Sequence, residues 1–305
     1  MYLGRPRWWV QETFLVLVCL FGNVDAIEAT VTVVLSSDAE PYRQAALAAT
    51  QRLGEQVQTT TVLIDALRGN APASPFWISI GTPAALRLRP LLAPEQRMIY
   101  CLVTDPVGAG LTTDARIHGI SATVPLATQF ALLSDVRPTC RKVGILVLEN
   151  GPDREVLQGA VTTALPSGWE ARFVIVPSMD TIADQIAWVC EGTDAVWTYA
   201  DSGLYTDASV RMLLLTALRR RVPVFGYSPS FVRAGALVGV GIDPAWQGDQ
   251  AGELTASLLK NADTPPQHRP PQHQVVINTV VARKIGLDIP PEVLAAADVV
   301  LDGER

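Results

Sequence analysis

The chain has 305 residues, of which 49% are hydrophobic and 18% charged, and it carries a net charge of −6 at neutral pH. At roughly 150 residues per domain this is about two domains or one large one, with apolar content enough to bury a core without covalent staples and to exclude a disordered chain. The excess of 30 Asp+Glu over 24 Lys+Arg argues against nucleic acid as the main partner, because a phosphate backbone selects for a basic face.

At the amino terminus Arg5 and Arg7 precede an uncharged stretch over 13–24, and Val24-Asp25-Ala26 follows with compact residues. This is the layout of a secretory signal peptide cut after Ala26. The apolar run is too short to cross about 30 Å of hydrocarbon as a helix. An uncleaved anchor and lipid attachment at Cys19 are the alternatives, the latter opposed by the bulky Val18 just before it. The mature chain keeps Cys101, Cys140 and Cys190, an odd number, so at least one is free or pairs between chains. Cys101 and Cys190 lie in apolar runs and read as small core residues. Export without a disulfide framework suggests a bacterial envelope protein held by the size of its core.

Beyond the signal, short apolar runs at 31–35, 60–64, 77–80, 98–103, 143–148, 173–176, 195–198, 223–225 and 237–240 read as strands. Most are apolar on consecutive positions, as strands covered on both faces should be. Helical patterns lie between them at 41–53, 82–91, 126–133, 153–164, 182–189, 209–220 and 247–260. The alternation predicts an α/β protein with doubly wound parallel sheets and right-handed crossovers. Arg219-Arg220-Arg221 reads as a helix end at its negative pole. Segment 264–271 holds four prolines and reads as a linker. His268 and His273 in and beside it are a poor metal site, the cysteines fit no zinc spacing, and no metal or cofactor is expected.

In open α/β sheets ligands bind beyond the carboxyl ends of the strands. The loops there are polar: Ser36-Ser37-Asp38, Gly81-Thr82-Pro83, Thr104-Asp105-Pro106, Glu149-Asn150-Gly151, Tyr199-Ala200-Asp201-Ser202 and Gly226-Tyr227-Ser228. Gly81-Thr82-Pro83 reads as a tight turn, an N-cap and a first helical proline. Its free N–H groups suit an anion such as a carboxylate, or simply start a helix. Asp201 suits a ligand ammonium or the cap of the next helix. Tyr199, Tyr227 and Trp246 suit ligand stacking or the core. Catalysis has little to stand on. Gly226-Tyr227-Ser228-Pro229-Ser230 lacks the second glycine of a nucleophile elbow, His118 follows no base or nucleophile pattern, and no phosphate loop occurs. The chain is expected not to be an enzyme.

Several of these stretches together resemble one family. They are Ile80-Gly81-Thr82-Pro83-Ala84-Ala85, Val103-Thr104-Asp105-Pro106-Val107, Val222-Pro223-Val224-Phe225-Gly226, the run from Ser230 to Leu237, and Val276-Ile277-Asn278 with the later Ile285-Gly286-Leu287-Asp288-Ile289-Pro290-Pro291. The chain looks like a bacterial ABC-transporter substrate-binding protein of the group that includes tryptophan- and phenylalanine-binding members. The resemblance covers most of the mature chain. It implies a type I periplasmic-binding-protein fold, with two doubly wound lobes joined by three hinge crossovers: residues 27–121 with 243–271, and 122–242 with 272–305. It further implies a monomer that binds a small organic ligand, such as an amino acid, in the inter-lobe cleft and delivers it to an inner-membrane permease. Ser36, Ser37, Thr82, Thr104 and Asp105 would line the first lobe's side, with Asn150, Tyr199, Asp201, Tyr227 and Ser228 on the second and Asp243 at the hinge. Gly81-Thr82 would take a carboxylate and Asp201 an ammonium. Where the family has a full helix between its second and third strands, this chain has only 65–76, with Gly69, Pro72 and Pro75 inside, so that helix is missing or reduced to a turn. A diverged ligand-sensing or protein-interaction module of the envelope is the alternative reading.

Overall fold

Two separate sheets organise the chain in the computed structural model, which describes residues 29–303 apart from 152, 153 and 202. The signal-peptide reading and Cys19 lie outside the described residues. The first half runs β1 (Ala29–Leu35), α1 (Glu40–Leu53), β2 (Val57–Leu63), β3 (Phe76–Ile80), α2 (Thr82–Leu88), β4 (Arg97–Val103) and β5 (Ile117–Ser121). The second runs α3 (Leu126–Val136), β6 (Lys142–Leu148), α4 (Arg154–Ala164), β7 (Glu170–Val176), α5 (Ile182–Val189), β8 (Ala195–Trp197), α6 (Asp207–Arg220), β9 (Val224–Gly226), α7 (Pro229–Ala234) and β10 (Val238–Ile242). The chain then returns through α8 (Pro244–Lys260) and β11 (His268–Arg269), and ends with β12 (His273–Asn278), α9 (Thr279–Ile285), α10 (Pro291–Ala296) and β13 (Val299–Leu301).

The first sheet has the order β11-β5-β4-β3-β1-β2 and is parallel throughout. The second has the order β13-β12-β10-β9-β8-β6-β7, parallel except where β12 meets β10. Each sheet carries helices on both faces. In the first lobe Ala45, Ala49 and Leu53 of α1 join Ala251, Leu254 and Leu258 of α8 over one face, and Ala84, Ala85 and Leu88 of α2 cover the other. In the second, α5, α6 and α7 pack one face and α3, α4 and α9 the other. This is the doubly wound α/β architecture expected of strands apolar on both sides.

The chain passes between the sheets three times: from β5 to α3, from β10 to α8, and from β11 to β12. The first two crossings leave from carboxyl ends of strands. The third enters the second sheet at His273, which pairs with Ile242 at the carboxyl end of β10. The carboxyl ends of both sheets therefore border one gap, with the crossings at its back.

The structure adds β12, β13, α7, α9 and α10, which the sequence reading did not include, and three further local outcomes differ from it. β5 was not anticipated, because His118 and Gly119 interrupt its apolar pattern; Gly119 is needed there, since a Cβ would lie 2.4 Å from the Tyr100 ring. The proline-rich 264–271 is more than a linker: His268 and Arg269 pair with Gly119 and Ile120 as an edge strand. The pattern over 82–91 divides, α2 giving way to a 3-10 turn at Arg89–Leu91 that contains Pro90. Between β2 and β3 only a 3-10 turn, Ile64–Leu67, stands, the reduction to a turn that the sequence led us to expect. Correspondingly Gln58 and Thr60 of β2 are exposed, and Thr32 on the paired strand holds Ser74 through their hydroxyls at 2.6 Å.

Candidate functional site

The strand-end loops of the first lobe are tied together by Ser36. Its hydroxyl donates to the Ile80 carbonyl at 2.8 Å and accepts the Ala84 N–H at 3.0 Å. Gly81 sits between, at φ 94°, where a Cβ would lie 2.5 Å from Ser36 Oγ; a glycine is required on both counts. This corrects the local sequence reading. Gly81 is the N-cap, Thr82 is already helical and makes no side-chain cap, and the capping acceptor comes from Ser36 on the neighbouring strand. Pro83 has no N–H and that of Ala84 is taken, so the start of α2 keeps little capacity for an anion.

Ser37 accepts the Ala39 N–H at 3.4 Å in an exposed turn. Asp105 accepts the Gly108 N–H at 2.8 Å, and the Thr104 carbonyl accepts the Thr123 hydroxyl at 2.7 Å across the first crossing. Asn150 is exposed in the turn after β6. Asp243 caps α8 by accepting the Ala245 and Trp246 N–H groups at 2.7 and 3.4 Å, where the chain leaves β10. Trp246 is half-buried on the first turn of α8.

On the second lobe the structure gathers Tyr199, Asp201 and Tyr227 into one cluster and adds two residues the sequence reading missed, Tyr205 and Phe231. Tyr205 lies 6.1 Å from Tyr199, 6.0 Å from Tyr227 and 5.6 Å from Phe231, ring to ring, while Tyr227 and Phe231 are 5.1 Å apart. Tyr199 stacks on buried Trp197 at 5.9 Å. Asp201 does not cap α6, whose start is closed by a reciprocal Thr206–Ser209 box. Instead its Oδ1 accepts the Gly203 and Leu204 N–H groups at 2.9 and 3.0 Å, and its Oδ2 faces the Tyr199 hydroxyl at 3.5 Å. Ser228 caps α7, accepting the Phe231 N–H at 3.3 Å, and so sets the angle of Phe231. Burial, then the charge of Asp201, raises the Tyr199 and Tyr227 phenols; burial also raises Tyr205 well above its ordinary value. All three are neutral phenols at physiological pH. Tyr205 was legible only as an aromatic between Asp201 and the Thr206 cap, a spacing with no motif of its own.

A cavity of about 600 Å³ lies elsewhere, between the flanks of α6, α7 and α9, lined by Leu214, Leu218, Ala234 and Val281. None of the candidate ligand-binding residues named above borders it.

The model of the ABC transporter substrate binding protein family matches residues 52–301. The chain belongs to that family. Among solved structures, a ligand-free, open substrate binding protein with adhesive properties from Clostridium difficile superposes with a TM-score of 0.76 at 16% identity, over 90% of this chain and 99% of that one. An ABC domain in complex with L-Trp from Streptococcus pneumonia gives 0.63 at 22% identity, over 90% and 100%. A periplasmic ribose ABC transporter protein from Conexibacter woesei gives 0.57 at 12%, over 86% and 95%. A search of curated proteins finds no match. The substrate-binding protein thus has the type I periplasmic-binding-protein fold, two parallel-sheet lobes joined by three crossovers. Its family is the solute-binding, extracytoplasmic component of ABC transporters. No helix among the described residues is long and apolar enough to cross a membrane.

Proposed function

We propose that this substrate-binding protein is a non-catalytic solute receptor that binds a small organic molecule in the gap between its lobes and presents it to a membrane permease. The lobes would be 27–121 with 243–271, and 122–242 with 272–305, and the receptor would act outside the cytoplasm as a monomer. One observation carries the reading: Asp201 Oδ2 stands beside the Tyr199 hydroxyl, at the rim of an aromatic cluster on the carboxyl edge of the second sheet. A carboxylate in that setting pairs with a ligand ammonium while the rings take its apolar part. Ligand bound to one lobe would be enclosed by rotation of the other about the three crossings.

Isothermal titration of the purified protein against amino acids, amines and sugars tests this. Saturable binding at sub-millimolar Kd is the expected outcome, and absence of binding by every solute class would overturn it. The second reading, an interaction module, draws on the exposed Gln58 and Thr60 where a helix is reduced to a turn. It predicts retention of an envelope protein that Thr60→Lys abolishes.

A further inference from the structure

We propose that the cleft selects an organic cation carrying no carboxylate, such as an aromatic or quaternary amine, rather than a zwitterionic amino acid. This rests on the receptor reading above and narrows it.

The charge of the gap is the first ground. The loops after β1, β4, β6 and β8 contain Asp38, Asp105, Glu149 and Asp201 before the next helix begins, and no lysine or arginine. Arg43, one turn into α1, is already engaged by Asp38 and Glu40 at 3.3 and 2.6 Å, and Arg154, the first residue of α4, donates to the Glu149 carbonyl at 3.3 Å. A ligand carboxylate entering this gap finds no free cation in those loops.

Backbone donors at four helix starts offer little in its place. Four of the helix starts that border the gap are closed by the protein's own side chains: α2 by Ser36, α6 by Thr206, α7 by Ser228 and α8 by Asp243. Three of them, α2, α7 and α8, also carry in the first turn a proline that has no N–H. At each of these four starts at least one of the N–H groups that would hold an anion is taken internally.

The aromatic cluster supplies what an organic cation needs. Tyr199, Tyr205 and Tyr227 cluster beside one carboxylate, electron-rich rings of the kind that attract ammonium groups. Within it the Tyr205 hydroxyl is buried and has no hydrogen-bond partner among the described residues, although Tyr205 itself is only 8% exposed. Such a group costs stability unless something completes it. Its ring packs against Tyr199, whose hydroxyl faces Asp201 Oδ2, and against Tyr227, and its oxygen is the acceptor open to the N–H of a ligand that enters the cluster.

Titration calorimetry with tryptamine, phenyltrimethylammonium and L-tryptophan distinguishes the cases. Tryptamine is expected to bind at least about tenfold tighter than L-tryptophan, a difference of about 1.4 kcal/mol. Asp201→Asn, which keeps the Oδ1 acceptor for Gly203 and Leu204, should weaken both amines at least about tenfold. Tyr205→Phe should weaken tryptamine severalfold and leave phenyltrimethylammonium, which has no N–H, unchanged. L-tryptophan binding as tightly as tryptamine would overturn the cation selectivity while leaving the receptor reading intact. Amine binding unaffected by Asp201→Asn, or no binding of either amine, would also overturn it; the wider solute panel then judges the receptor reading separately.

Discussion

His118 is fully buried on β5. Its Nδ1 accepts the Gln267 N–H at 3.2 Å, so the ring proton sits on Nε2, which has no partner among the described residues. Burial, then His268 and Arg97, lowers its pKa from the ordinary 6.5 to about 4. The folded value lies below the unfolded one, so the contribution to stability is complete above pH 6.5. It is lost as pH falls from 6.5 toward 4, because the unfolded chain binds a proton that the folded ring refuses. The loss attributable to this ring approaches about 3 kcal/mol at pH 4. Urea unfolding at pH 7, 5.5 and 4 should show it, and His118→Gln, an acceptor that does not titrate, should flatten that part of the profile. The cysteines are the quieter counterpart: Cys101, Cys140 and Cys190 are free and buried, and burial pushes their thiols up to about 12, 12 and 11. Thiols held protonated in this way are poor nucleophiles.

At the scale of elements, the contact between α1 and α8 depends on two glycines. A Cβ on Gly248 would lie 2.0 Å from the Ala45 carbonyl oxygen, and one on Gly252 2.7 Å from that of Ala49. Backbone cannot yield as a flexible side chain can, so Gly248→Ala should destabilise by about 1–3 kcal/mol. Gly159, inside α4 with nothing within 4 Å of its absent Cβ, is the control: Gly159→Ala should stabilise by about 0.5–1 kcal/mol. Thermal unfolding of the two variants should move in opposite directions. The elements that were legible in the sequence are those whose burial is uniform. The runs in β3, β4 and β6 are almost wholly buried and read directly as two-faced strands. β5 and β11 were not, since a buried histidine, a packing glycine and a proline-flanked dipeptide look polar or irregular until a neighbour's edge pairs with them. The candidate site divides in the same way. Tyr199, Asp201 and Tyr227 announce themselves at strand ends, whereas Tyr205 enters through a loop whose return toward them depends on Asp201 holding the Gly203 and Leu204 N–H groups.

For the whole molecule, the back of the gap is fastened by Gln247. This fully buried side chain accepts the Leu102 N–H at 3.0 Å and donates to the Ser121 carbonyl at 3.1 Å. It thereby joins the start of α8 to the irregular end of β4, where Leu102 adopts φ 53° and the pairing with β5 shifts register. Gln247→Ala leaves both backbone groups unpaired and should cost about 2 kcal/mol, read as a lower midpoint in urea. Because these groups flank two of the crossings, the variant should also change the compaction on ligand binding seen by small-angle scattering, while Gly159→Ala should not.

The shared α1–α8 layer also orders events in time. One helix of that layer lies near the beginning of the described chain and its mate begins at Pro244, after the entire run from α3 to β10. A nascent polypeptide that has emerged only as far as β5 has its first sheet's strands but cannot shield Ala45 and Ala49, which α8 alone brings together with Ala251 and Leu254. The first lobe must therefore wait, in a high-contact-order arrangement that slows closure, while the intervening lobe can mature ahead of it. The part synthesised first is the part completed last, and a chaperone that binds the early segment would be released by the arrival of α8.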